Sequence, residues 1–223
     1  MQLTNLDPTH AAAAARLHIA GQPNTFLTNL GTGVLTTFYR ALPQSPTGFG
    51  FAAVTDVSSA SFPEPATHHS PLTTHHSPPA TQLLGFVSAT TSTGQLFLAL
   101  GTRHLPAFLP PLLSRFAQRP GLLLNCMQTV FYPLLQSAAH EGEPTAELLS
   151  IMVEPAWRSQ GIGAQLVARL VEECRLRTIA VLAVTVAAEN VAARRFYARH
   201  GFVGRNNFRL YGRQMCSYQL QII

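Results

Sequence analysis

The hydrophobic pattern of the chain alternates between strand-like and helix-like spacing, and the changes mark its elements. Residues 48–55 and 83–91 are short apolar or β-branched runs bounded by turn residues, which predicts two strands paired antiparallel. Residues 8–20 and 31–42 place apolar side chains at helical spacing, and Asp7 followed by Pro8 supplies an N-cap and a first-turn proline for the earlier helix. From 104 to 140 apolar residues again recur at helical spacing. Here Pro106, Pro110, Pro111, Pro120 and Pro133 predict an insertion broken into short helical pieces.

The last third is patterned most sharply. Residues 147–153 read as a strand that ends at Pro155, and residues 161–177 as a helix whose apolar stripe is Ile162, Leu166, Val167, Leu170, Val171 and Cys174. Residues 179–186 are almost continuously apolar, the signature of a strand covered on both faces, so strand, helix and strand form a right-handed parallel unit. A helix over 190–200, stopped by Gly201, and strands over 202–211 and 214–223 complete the pattern. The 223 residues then fit a single domain, 1–223, with insertions.

Composition changes this picture in three places. Residues 56–82 are mostly Ser, Thr, Pro, Ala and His and repeat the string T-H-H-S-P from Thr67 and from Thr74, a composition that reads as a loop between two strands. Its paired histidines have no carboxylate or cysteine at ligand spacing, and no metal is expected. Cys126, Cys174 and Cys216 are widely spaced and form no CxxC pair, which argues against a disulfide framework or a zinc site. Charged residues make up only 11%, against about 25% in ordinary globular chains, and all 15 basic residues are Arg. The absence of Lys excludes Schiff-base chemistry and the lysine-dependent phosphoryl-transfer families. Residues 151–223 hold ten Arg against four Glu, net +6, while residues 1–150 hold five Arg against six acids, net −1. The basic third is therefore expected to meet an anion.

The first ten residues carry no basic and apolar leader, and no uncharged apolar run nears the ~20 residues of a membrane span. A cytoplasmic protein, with no membrane or nucleic acid as partner, is expected. The Arg residues are not interleaved with aromatics as a nucleic-acid stripe would be.

The strand-to-helix junction reads V-E-P-A-W-R-S-Q-G-I-G from Val153 to Gly163. Gly161 and Gly163 allow a close backbone approach, and the helix they open aims its unpaired N–H groups at whatever lies there, an arrangement suited to phosphate or pyrophosphate. A second block, N-V-A-A-R-R-F-Y-A-R-H-G-F, follows from Asn190 to Phe202. Together the blocks resemble the GNAT superfamily of acyl-CoA-dependent N-acetyltransferases. Arg158 to Gly163 is similar to that family's R-x-x-G-x-G signature, and Asn190 with A-x-x-F-Y-x-x-x-G-F to its second motif.

The resemblance implies an α/β fold: a central mixed, mostly antiparallel sheet with one splayed parallel pair, flanked by helices, with the helical insertion before the central strand. It implies acetyl-CoA as co-substrate, its pantetheine lying against backbone groups of Ile151, Met152 and Val153. The pyrophosphate would be held by the amides of Ser159, Gln160, Gly161, Ile162, Gly163 and Ala164 beside Arg158. Asn190 would orient the cofactor or cap the helix it begins. The activity implied is direct attack of a primary amine, on a small molecule or a peptide terminus, at the thioester. The alternative is a CoA-binding interaction module without turnover. Tyr197 matches the family's acid, whose hydroxyl sits near the sulfur. Glu147 stands where histone-acetylating members carry a base, and strict alternation would put it on one face with Leu149, Ile151 and Val153. His140, Glu141 and Glu143 remain alternative bases. Ribosomal-protein acetyltransferases place a glutamate five residues before the motif asparagine, and here that position is Thr185. Glu154 and Trp157 read as structural or surface residues. A monomer or homodimer is expected.

Overall fold

The computed structural model describes residues 1–23, 25–56, 81–118, 121, 145–210 and 212–223. The chain opens with strand β1 (Gln2–Asn5) and a 3-10 turn (Pro8–His10) that runs into α1 (Ala11–Gly21). Asp7 caps this start as its position beside Pro8 predicts, its side chain accepting from the Thr9 amide. Then come α2 (Phe26–Asn29), α3 (Thr32–Ala41), β2 (Gly48–Asp56), β3 (Thr81–Thr90), α4 (Thr93–Thr102) and α5 (Leu105–Gln118). The remainder holds β4 (Thr145–Val153), α6 (Ile162–Leu176), β5 (Val181–Ala187), α7 (Val191–Arg199), β6 (Val203–Leu210) and β7 (Arg213–Gln221).

Among the described residues seven strands form one sheet in the order β1-β2-β3-β4-β5-β7-β6. Every neighbouring pair is antiparallel except β4 and β5. This is the mixed sheet the sequence predicts. Apolar residues of α1 and α3 pack on one face around Tyr39, Leu35 and Phe86, while Leu166, Leu170 and Cys174 of α6 cover the other face against Leu182 and Val184.

Two departures from the expected pattern matter for the site. Prolines do not break α5: Pro110 and Pro111 lie inside it. A proline at either position leaves the carbonyl one turn earlier unpaired. Those carbonyls belong to Pro106 and Ala107, both exposed, so water can satisfy them. The helical insertion also starts earlier than expected, with α4, which meets α5 at a bend of 86°. Among the described residues no single helix is long and apolar enough to cross a membrane. The His-rich segment and the rest of the insertion beyond α5 lie outside the described residues, Gly121 excepted.

The second departure is a β-bulge. Ser88 of β3 faces Ser150 of β4, but the next β3 residue, Ala89, faces Leu148, so Leu149 is one residue too many. Alternation therefore resets at this point. Ala146 and Leu148 point toward α6, Leu149 and Met152 toward α1 and α3, and Ile151 and Val153 toward α6 again. The expectation that Glu147 shares a face with Ile151 and Val153 is thereby corrected: the bulge puts it on the opposite side.

The bulge is pinned from behind. Tyr39 of α3, fully buried, donates its hydroxyl to Ser150 Oγ at 3.1 Å. With that proton committed, the Tyr39 oxygen accepts from His18 Nδ1 of α1 at 2.6 Å. Burial pushes the His18 imidazole down to about 4 from 6.5. The unfolded chain takes up this proton below about 6.5 and the folded chain only near 4, so His18 costs the fold nothing above pH 6.5 and progressively destabilises it as pH falls to 4. That linkage amounts to about 3 kcal/mol by pH 4. Urea midpoints should fall between pH 7 and 4.5, and His18→Gln should flatten that fall.

Candidate active site

β4 and β5 pair only over their first four residues, Thr145↔Val181 through Leu148↔Val184. Beyond that strip they part. β4 stays bonded to β3 through Val153, and β5 stays bonded to β7 through Ala187. The β4 edge past Leu148 thus faces an opening instead of a neighbouring strand, and open edges accept an extended ligand as an added strand.

The loop leaving β4 lies at this opening. Ser159 (φ 64°) and Gly161 (φ 80°) both adopt left-handed backbone, which turns successive amides toward one concave side. Gly161 is the N-cap of α6, a helix of 15 residues, so unpaired N–H groups and the positive dipole end meet there. A cleft of about 680 Å³ runs along this loop, lined by Ile151 and Val153 of β4 and by Arg158, Ser159 and residues 161–164. From α7 come Ala192, Ala193, Phe196, Tyr197 and Arg199, followed by His200.

The expected cofactor residues thus fall into two groups. Ile151, Val153, Arg158, Ser159, Gly161, Ile162, Gly163 and Ala164 line the cleft. Met152, Gln160 and Asn190 do not. The Met152 side chain is buried in the core under α1 and α3, leaving only its backbone at the β4 edge. Gln160 is exposed and donates to the Ala156 carbonyl at 3.4 Å. Asn190 caps α7, its Oδ1 accepting from the Ala193 amide at 3.1 Å.

Trp157, read from the sequence as structural or surface, lines the cleft. Phe196, Ala192, Ala193, Arg199 and His200 were also missed. Their spacing of three and four along one helix is the signal that could have found them.

Tyr197 is buried, with its ring edge-on to Phe196 at 5.4 Å and to Phe202 at 5.2 Å. Burial pushes its phenol above the usual tyrosine range, so the hydroxyl keeps its proton at neutral pH. Glu147 lies on the other side of the sheet, at the start of β4. Burial raises its carboxyl, and a hydrogen bond from Thr93 Oγ1 to Oε2 at 2.6 Å opposes that rise. His140, Glu141 and Glu143 lie outside the described residues.

The arginine surplus is spent mostly elsewhere. Arg169 and Arg177 lie over the rings of Phe51 and Phe49 at 4.3 and 4.5 Å, and both pair with Glu173. Arg194 donates to Tyr218 and Ala188, Arg205 to Gln219, and Arg213 to Glu189. Among the described residues Arg158 and Arg199 are the arginines that line the cleft.

Residues 128–202 match the sequence profile of the Acetyltransferase (GNAT) family. That segment, about a third of the chain, carries the likeness to the family, and it includes β4, the loop after it, α6, β5 and α7. No curated protein matches the sequence. Solved GNAT structures share its fold at low identity. A GNAT-family protein from Desulfovibrio desulfuricans superposes with a TM-score of 0.58 at 15% identity, over 100% of both chains. The ribosomal-protein-alanine N-acetyltransferase of Brucella melitensis gives 0.57 at 15%, over 99% of each. Arabidopsis thaliana NAA60, solved with acetyl-CoA, gives 0.54 at 17%, over 98% of this chain and 95% of that one. The GNAT fold thus accounts for the whole described sheet, including strands that carry no family motif.

Proposed function

We propose that this protein is a GNAT-superfamily acetyltransferase that transfers the acetyl group of acetyl-CoA directly to a primary amine of a small molecule or a peptide terminus. The observation that carries the reading is the opening between β4 and β5, with the left-handed Ser159–Gly161 loop at one end and Tyr197 beside it. The loop amides and Arg158 would hold the pyrophosphate, and the β4 edge at Ile151 to Val153, whose last carbonyl accepts from Arg158 Nε at 3.1 Å, would hold pantetheine.

The acceptor arrives as an ammonium and gives one proton to the Glu147 carboxylate, from which it passes to solvent. The nitrogen lone pair then attacks the thioester carbon, and the C–N bond forms. Collapse breaks the C–S bond, and the departing thiolate takes the Tyr197 proton. One of the two protons then on nitrogen passes to the phenolate and the other stays in the amide, so each turnover yields amide, free thiol and one proton.

The described walls on the Glu147 side carry few acids: between Met1 and Gln118 the described carboxylates are Asp7 and Asp56. A polycationic acceptor would find little there to pair with, which favours an amine on an apolar or sugar-like body. Incubation with acetyl-CoA and a broad amine panel, read as thiol release, tests the proposal. Thiol release that depends on one class of amine supports it. Calorimetric acetyl-CoA binding with no transfer to any amine would point to the binding-module alternative, and neither binding nor transfer would end both.

A further inference from the structure

We propose that Thr93 is a positioning residue for Glu147: its hydroxyl holds one carboxylate oxygen, so that the other is turned toward the acceptor amine. This rests on Glu147 being the base in the reading above.

The placement is built rather than incidental. Thr90, the last residue of β3, is the register partner of Glu147. Its hydroxyl donates to Thr47 Oγ1 at 3.1 Å and accepts from the Ser92 amide at 3.2 Å, while the Thr91 amide bonds the Thr47 carbonyl at 3.0 Å. Ser92 then caps α4, its side chain accepting from the Gln95 amide. The two residues before Thr93 are thus fixed by hydrogen bonds, and Thr93, the first residue of α4, reaches Glu147 Oε2 at 2.6 Å. The carboxylate also lies at the positive end of this ten-residue helix. Among the described residues Glu147 Oε1 takes no hydrogen bond.

Among the described residues nothing charged competes with Thr93 for this role. The register partners of Glu147 are Thr90 and Ala183. The buried titratable groups of α1 and α3 are His18 and Tyr39, which are bonded to each other and, through Tyr39, to Ser150, while Arg16 and Arg40 of the same helices are exposed. On α6, across the sheet, the acids Glu172 and Glu173 pair with Arg169 and Arg177. Among the described residues the influences acting on Glu147 are its burial and the Thr93 bond.

A donor to the charged carboxylate favours ionisation, so removing it lets burial act unopposed and moves ionisation to higher pH. The experiment compares the parent with Thr93→Val, Thr93→Ala and Thr93→Ser, the alanine variant serving if valine does not fold. Glu carboxyl groups labelled with 13C are titrated by NMR, with the Glu147 signal assigned by its loss in Glu147→Gln. The pH profile of kcat/KM is measured with whichever panel amine is acetylated. Expected results are an upward move of the Glu147 titration and of the acid limb in the hydroxyl-free variants, with kcat/KM at pH 7 down roughly tenfold, and recovery of all three in Thr93→Ser. An unmoved titration, or a serine variant that behaves like valine, overturns the role of Thr93. Glu147→Gln with parental kcat and an unchanged acid limb overturns the base assignment instead, so the two failures are distinguishable.

Discussion

Tyr197→Phe should lower kcat on the order of a hundredfold, while the acetyl-CoA dissociation constant stays within about twofold of the parent. The substitution is unusually clean here. Both edge-on ring contacts, to Phe196 and Phe202, survive it because neither uses the hydroxyl. Among the described residues that hydroxyl makes no hydrogen bond, so its loss leaves no partner stranded. What is removed is a hydroxyl on the cleft wall, kept protonated by burial and, on the proposed chemistry, the donor to the departing thiolate. Thiolate departure then has to draw its proton from water. Steady-state kinetics beside calorimetry decide the matter, and a parallel loss of turnover and affinity would reassign Tyr197 to packing.

Leu170→Ala should cost the fold roughly 3 kcal/mol, since it deletes a fully buried side chain from the centre of the α6 stripe. Leu166 and Cys174 sit one turn to either side, and β5 residues Leu182 and Val184 face them, so little can collapse into the space. Against a typical total stability of about 5–15 kcal/mol, this single change would consume a large share. The start of α6 lies two turns away, so acetyl-CoA affinity measured well below the melting temperature should hold. Urea unfolding of both proteins, with calorimetry at low temperature, checks the pair of expectations.

Much of this architecture is legible in the residues because local and global signals agree. The α6 stripe, the unbroken apolar run of β5, the Asn190 cap and the Gly201 stop each specify one element, and each is found where the pattern places it. The failures have physical causes. β1 is four residues long and α2 one turn, too short for either to show a period. α4 was legible in principle, because Ser92 followed by Gln95 has the spacing of a capping box. The helical run of α5 hid behind its prolines, whose penalty is small when the carbonyls they orphan face water.

The site divides in the same way. Gly161, Gly163 and Tyr197 announce themselves through motif spacing. The bulge at Leu149 cannot be read from alternation, since it is a property of two strands in register. It decides which side of the sheet Glu147 faces. Thr93 and the His18–Tyr39–Ser150 chain are brought to β4 from distant segments, and nothing in their local sequence marks them.

That bulge has a kinetic meaning. Because β4 changes faces between Leu148 and Ile151, the cleft and the Glu147 carboxylate lie on opposite sides of one sheet, joined where β4 and β5 separate. On the proposed chemistry the two reactants enter through different doors and meet in the aperture. Neither needs to leave before the other can bind, and each product retreats the way its precursor came. Among the described residues the sheet is a partition open where β4 and β5 separate, and on that chemistry the two reactants meet there in a ternary complex with no acyl-enzyme between them.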